Sequence, residues 1–176
     1  MDPVPGHVIR GLLALVFLAA CVHKLVAPRS FVEALRGYAL VPEGLAVWLA
    51  APIVVAELCA GVGLLVPAMQ RDATVGALAL LVLYAAGMSI NLLRGRRDID
   101  CGCAGAAGRQ SLSGWLVLRN LLLAAALGAT LAPASARALG TFDLFTIALG
   151  AGALYALYAA SNLLFAYAPR TKALLG

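Results

Sequence analysis

Charged side chains are what this sequence has least of. Only 12% of its 176 residues are Asp, Glu, Lys or Arg, whereas 63% are hydrophobic. Soluble domains carry about 25% charged residues, so this scarcity excludes an ordinary soluble domain. Histidine and cysteine are also rare, with two and four copies, and few metal ligands are therefore available. The net charge of +5 comes from loop arginines, which indicates a membrane-topology signal and not a nucleic-acid surface.

Long apolar runs take the place of charge. Five windows are long enough to cross a bilayer as helices of about 20 residues, and helices are expected because a spanning backbone must satisfy its own hydrogen bonds. We therefore predict an all-α integral membrane bundle, a four-helix core plus one helix, that forms one domain over residues 1–176. The predicted spans are approximately 8–26, 46–68, 73–93, 112–131 and 144–167.

The connection between the first two spans has a pattern of its own. Phe31, Leu35 and Tyr38 fall on one face at helical spacing, which predicts a short amphipathic helix lying on the membrane surface. Ser30 and Glu33 match a capping box, which predicts that this helix starts at Ser30.

Two thiols, Cys101 and Cys103, flank Gly102 in the polar connection between the third and fourth spans. Glycine frees the backbone to bring the sulfurs together, and a bridge across one residue is expected to be strained and reducible. The residues favour redox exchange, with a structural disulfide and half of a zinc site as the alternatives. Cys21 and Cys59 lie within spans, where cysteine acts as a small apolar residue, and we expect them not to pair.

The charge distribution assigns these cysteines to one side of the membrane. With five crossings, that side also holds the amphipathic connection and the C-terminus; we call it the thiol side. It carries nine Lys or Arg residues, the opposite side three, and Arg119 lies within a span, which accounts for all 13. The positive-inside rule then predicts that the thiol side is cytoplasmic.

Polar residues in the spans concentrate towards the thiol side, and the opposite half is expected to be almost purely Leu, Ala, Val and Gly. Counting helical rise puts Glu57 near mid-bilayer and Arg119 about a third of the way in. Intramembrane charges normally pair, so we predict that Glu57 pairs with Arg119. That pair would either hold two helices together or line a polar pocket beneath the cysteines. The predicted pocket residues are Lys24 and Asn91 at its mouth, with Glu57, Arg94, Arg119 and Asn120.

Several short motifs together form a recognisable pattern. They are His23-Lys24-Leu25, Phe31, Tyr38-Ala-Leu-Val-Pro42, Pro52 with Glu57, Asn91-Leu-Leu-Arg94-Gly95, Cys101-Gly-Cys-Ala-Gly105 and Leu118-Arg119-Asn120. From about Val8 to Leu131 they resemble the methylamine-utilisation MauE family, within the DoxX-like group of small helical membrane proteins. One departure is Ala104, where the family motif usually carries an aromatic residue.

The resemblance implies a multi-pass protein of the bacterial inner (plasma) membrane that works with a thioredoxin-like partner. Its expected role is disulfide formation or electron supply for the maturation of extracytoplasmic proteins, including a quinone-cofactor enzyme. The expected function is therefore a membrane thiol–disulfide oxidoreductase or electron conduit that uses Cys101 and Cys103. A membrane quinone is a candidate second redox partner, because the bilayer supplies it and an arginine stabilises a reduced oxygen. The alternative is a non-enzymatic scaffold or assembly subunit. Extracytoplasmic work conflicts with the charge-based topology.

Overall fold

The computed structural model describes residues 2–96, 99, 112–133 and 137–175, with side chains as far as Phe165. Cys101 and Cys103 therefore lie outside the described residues. Within the described part every regular element is helical, which confirms the all-α prediction. The helices are α1 (Pro3–Val26), α2 (Pro28–Tyr38), α3 (Glu43–Leu65), α4 (Gln70–Leu93), α5 (Gly114–Ala129) and α6 (Thr141–Leu175), with a short 3-10 turn at Pro67–Met69.

Four helices form the core of the bundle and the fifth long one packs outside it. α1 packs against α3, α3 against α4 and α4 against α5, whereas α6 packs mainly against α1. A large apolar cluster joins the four core helices through residues such as Phe17, Leu64, Leu81 and Leu127. A smaller cluster at the thiol-side end has Met88, Leu112 and Leu116 at its centre. This arrangement confirms the predicted four-helix core plus one.

Four helices are long and apolar enough to cross a membrane: α1, α3, α4 with its preceding turn, and α6. The protein is therefore a multi-pass membrane protein. α5 has 16 residues, which span about 24 Å and fall short of a hydrocarbon core of about 30 Å.

The short α5 ends against a polar group in the half of the bundle opposite the thiol side. Arg10 Nη2 donates a 2.7 Å hydrogen bond to the carbonyl of Thr130, the C-cap of α5. Its Nη1 donates to Gln70 Oε1 at 3.3 Å. A cation at a helix C-terminus stabilises the last carbonyls, which have no partner within the helix. The prediction of an almost purely apolar half is therefore wrong at this point.

The connecting helix α2 is amphipathic, as predicted. Phe31 and Ala34 are buried against the bundle, whereas Glu33 and Arg36 are exposed. Its start differs from the prediction. α2 begins at Pro28, and its N-cap residue makes no side-chain hydrogen bond. The prediction that Ser30 and Glu33 form a capping box at the start of this helix is therefore wrong. Proline suits the first helical position because its missing N–H has no partner there anyway, and it starts the helix before Ser30.

α3 and α4 approach each other closely at Gly63. A Cβ atom there would lie 2.7 Å from Cβ of Ala73. We expect Gly63→Val to push the helices apart and to lower the free energy of unfolding by about 1–3 kcal/mol. Gly76→Val on α4 is the control, because a Cβ at Gly76 meets nothing within 4 Å. Thermal unfolding in detergent measures both; equal losses would show that close helix packing is not the cause.

Candidate functional site: a buried polar site at the thiol-side end

A buried ion pair joins α1 and α3. Lys24 Nζ lies 2.7 Å from Glu57 Oε1 and 2.9 Å from Oε2, and Tyr84 of α4 donates its hydroxyl to Oε1 at 2.7 Å. Glu57 is fully buried and Lys24 is 5% exposed. Each carboxylate oxygen therefore accepts at least one hydrogen bond from a charged or phenolic donor. A buried pair of this kind is tolerated only when its hydrogen bonds are satisfied.

This pairing corrects the prediction that Glu57 pairs with Arg119. The depth count placed Glu57 near mid-bilayer and Lys24 at the membrane boundary. In the structure Lys24, in the last turn of α1, meets Glu57 well inside α3. The two helix ends are therefore not level, and residue counts from each end do not give comparable depths. Lys24 lies inside the bundle and not at the mouth of a pocket.

Aromatic rings enclose the Lys24 ammonium. Its Nζ lies 5.0 Å from the centroid of Phe31 and 5.8 Å from that of Tyr84. Both are cation–π distances, and this attraction strengthens where the cation is removed from water. Phe31 comes from α2, so the connecting helix covers the ion pair.

Ile99 and Leu112 are the described residues nearest to the cysteines on either side, and a backbone hydrogen bond joins them. Leu112 donates its backbone N–H to the carbonyl of Ile99 at 3.2 Å. Ile99 and Leu112 belong to the thiol-side apolar cluster, which also contains Tyr38 and Tyr84. Tyr84 therefore contacts that cluster with its ring and Glu57 with its hydroxyl.

The other predicted pocket residues do not join the ion pair. Asn91 and Asn120 are buried, and each amide donates to a carbonyl of its own helix, Gly87 at 3.1 Å and Leu116 at 3.2 Å. Asn91 Oδ1 has no described partner. Arg94 is exposed, and its Nη1 lies 3.4 Å from the carbonyl of Ala39 at the end of α2. The predicted single pocket is thus divided into separate contacts.

Arg119 forms a second polar contact, between α5 and α6. Its Nη1 donates to Asn162 Oδ1, and its Cζ lies 5.3 Å above the ring of Tyr158. Arg119 is 6% exposed, and its Nε is buried with no described acceptor. Among the described residues no carboxylate lies within ion-pair distance of it. The guanidinium is therefore a buried cation held by neutral groups.

The two intramembrane cysteines are free and unlike each other. Cys21 is buried one turn before Lys24 on α1, and Cys59 is exposed on the outer surface of α3. The expectation that they do not form a disulfide is confirmed.

Sequence reasoning missed Tyr84 and Tyr158. Tyr84 shares one face of α4 with Met88 and Asn91 at helical spacing, and that pattern of polar and apolar residues facing the bundle is the signal that would have found it. Tyr158 lies one turn before Asn162 on α6, again on one face.

The chain matches the family model of the methylamine utilisation protein MauE over residues 3–133. It is 39% identical over 125 residues to the methylamine utilization protein MauE of Paracoccus denitrificans, covering 71% of this chain and 67% of that protein. The protein of the same description from Paracoccus versutus is 36% identical over 164 residues, 93% of this chain and 88% of the relative.

A more distant relative from Methylophilus methylotrophus, of the same description, is 31% identical over 97% of this chain and 90% of its own length. No solved structure matches the chain. The matched family region contains α1 to α5, and with them Lys24, Glu57 and Arg119. The chain therefore belongs to the methylamine utilisation protein MauE family.

Proposed function

We propose that this protein is a membrane thiol–disulfide oxidoreductase or electron conduit in which Cys101 and Cys103 exchange with a thioredoxin-like protein. In each exchange the dithiol of one partner becomes a disulfide while the disulfide of the other becomes a dithiol. Two electrons and two protons move between them, so the reaction balances without a further reagent. The relatives' description assigns them to methylamine utilisation, and we propose that this thiol exchange is the contribution of this chain to that process.

The observation that supports this proposal best is the attachment of the cysteine-bearing segment. Its ends at Ile99 and Leu112 are hydrogen-bonded to each other and packed on the cluster that contains Tyr84. Cys101 follows Ile99 by two residues, and two residues of chain span at most about 7 Å. We therefore propose that the thiol exchange takes place at this end of the bundle.

The surroundings of the segment also favour a reactive thiol. Arg94 and Arg96, just before it, are exposed at the end of α4. Positive charges near a cysteine stabilise the thiolate, which is the nucleophile in disulfide exchange. We propose a supporting role for the covered Lys24–Glu57 pair: together with Tyr84 it joins α1, α3 and α4, so that the cluster holding Ile99 and Leu112 keeps its shape.

The side of the membrane follows from charge. Nine positive residues on the thiol side against three on the other favour a cytoplasmic position for the cysteines, because the rule applies to short loops near spans. We propose that the pair accepts electrons from a cytoplasmic thioredoxin-like donor. The topology stays a prediction, and labelling by a membrane-impermeant maleimide from outside intact cells would contradict it.

Trapping of a mixed disulfide tests this proposal. A single serine variant lacks the second thiol that resolves the intermediate. We expect Cys101→Ser or Cys103→Ser to accumulate a covalent adduct with a thioredoxin-like protein that a reductant releases. Cys59→Ser, which changes a thiol on the outer surface of α3, is the matched control and should give no adduct. If neither Cys101→Ser nor Cys103→Ser gives an adduct and the double serine variant keeps full function, the protein is a scaffold and the redox proposal is wrong.

A further inference from the structure

Two buried hydrogen-bond donors on α5 lack acceptors within the described part of the chain. They are Trp115 Nε1 and Arg119 Nε, each with essentially no accessible surface. The residues lie four positions apart, so they share one face of the helix. A buried donor without a partner costs about 1–3 kcal/mol, and most buried polar groups in proteins avoid that cost. Two such donors on one helix face indicate an acceptor that binds there.

The face that carries these donors is aromatic and lies against α6. The ring of Trp115 stacks on Phe165, with 4.4 Å between centroids, and Arg119 lies over Tyr158 and bonds Asn162. α6 itself is largely uncovered, since only 6% of its spanning window is buried inside the protein. A molecule dissolved in the bilayer therefore approaches this side of the bundle without crossing the core, and it contacts the two buried donors once the Trp115–Phe165 stack opens.

The two cations at the thiol-side end differ in a way that matters for ligand choice. Lys24 is already neutralised by Glu57 at 2.7 Å. Among the described residues, the partners of Arg119 are all neutral. A buried guanidinium that keeps one N–H free stabilises an oxygen that gains negative charge. Together with the rings, this suits a planar apolar molecule with a carbonyl oxygen that becomes more negative when reduced.

We propose that Trp115 and Arg119 form the head-group site for a membrane quinone at the interface of α5 and α6, with their two unpartnered N–H groups as the hydrogen-bond donors. This inference rests on the proposed thiol chemistry for its electron source. The dithiol of Cys101 and Cys103 loses two electrons and two protons and becomes a disulfide, and the quinone gains both and becomes a quinol. No other oxidant is required, and Lys24 and Glu57 take no part in the binding.

Tryptophan fluorescence tests the site on the full-length protein in nanodiscs, with decylubiquinone as the probe. The chain has two tryptophans, and Trp48 is 79% exposed. In Trp48→Phe the emission comes from Trp115 alone, and we expect quenching that saturates as quinone is added. In Trp115→Phe the emission comes from Trp48, and quenching should rise linearly because it arises only from quinone dissolved in the lipid. Linear quenching in both variants would overturn the site.

Substitution of the arginine gives a second readout. In the Trp48→Phe background, Arg119→Lys keeps the buried cation but removes the Nε donor, and the quinone concentration for half-quenching should rise about tenfold, as expected for one charge-assisted hydrogen bond. Arg29→Lys, exposed on α2, should leave that concentration unchanged. An unchanged concentration in folded Arg119→Lys would contradict the assignment of Arg119.

Two results distinguish a failure of the quinone site from a failure of the proposed thiol exchange. Cys101→Ser/Cys103→Ser should bind decylubiquinone as the parent does, because the thiols are not binding contacts. If quinone binds saturably but the parent dithiol does not reduce it, the electron source is wrong and the site stands. If thiol exchange with a thioredoxin-like protein proceeds without saturable quinone binding, the site is wrong and the proposed function stands.

Discussion

Glu57→Gln is expected to destabilise the folded bundle by about 3–5 kcal/mol, because it leaves the Lys24 ammonium buried without its countercharge. Glutamine keeps the size of the side chain and an oxygen for the Tyr84 hydroxyl, which now lies 2.7 Å from Glu57 Oε1. The loss of unfolding free energy therefore reports the missing charge and not a change in packing. Chemical unfolding in detergent, followed by circular dichroism, gives the free energy. Glu33→Gln, exposed on α2, is the surface control and should change it by about 0.5 kcal/mol or less.

A double-mutant cycle then decides which cation is the partner. Lys24→Met combined with Glu57→Gln removes both charges and should recover most of the stability, because an apolar replacement of a buried ion pair is often neutral. Arg119→Met and Glu57→Gln, whose side chains make no described contact, should be additive to within about 0.5 kcal/mol. Coupling of several kcal/mol between Glu57 and Arg119, with none between Glu57 and Lys24, would restore the pairing that the structure contradicts.

Cys101→Ser/Cys103→Ser is expected to abolish thiol exchange while the bundle stays folded. Serine resembles cysteine in size but does not form a disulfide, and the apolar clusters that join the described helices do not depend on a disulfide. The exchange rate with a thioredoxin-like protein should fall to background, with an unchanged helical signal. Cys21→Ser/Cys59→Ser, which alters the two intramembrane thiols, is the matched control and should keep the parental rate. Loss of exchange in the control alone would show that Cys21 and Cys59, and not Cys101 and Cys103, are the exchanging thiols.

The helices were predictable because few backbone structures can span a membrane. Apolar runs of about 20 residues exclude other spanning structures in a single chain, and the predicted and observed spans coincide within a few residues for α1, α3 and α4. The amphipathic α2 followed from Phe31 and Tyr38 at helical spacing. The first residue of α2 did not follow from the sequence pattern, because the helix starts at Pro28 and not at the Ser30–Glu33 motif.

The partners of the buried charges were not predictable from the sequence. Helical rise estimates how deep a residue lies, but neither the rotation of a helix about its axis nor the level of its end is encoded in a residue count. A count of residues therefore pairs Glu57 with Arg119, whereas in the structure α1 packs against α3 and brings Lys24 to Glu57. Arg119 instead faces α6, where Asn162 meets it. The spacing of Cys101 and Cys103 is visible in the sequence, and their chemistry stays a prediction.

The most direct test of the thiol chemistry is the redox state of Cys101 and Cys103 in native membranes. In the Cys21→Ser/Cys59→Ser background only these two thiols remain of the four cysteines, so a maleimide carrying a polymer tag reports their state by mass shift. After incubation with a reduced thioredoxin-like protein both cysteines should add the tag, and after incubation with the oxidised form neither should. The same mass shift under both conditions would contradict the account, because a pair that does not follow its partner's redox state carries no electrons.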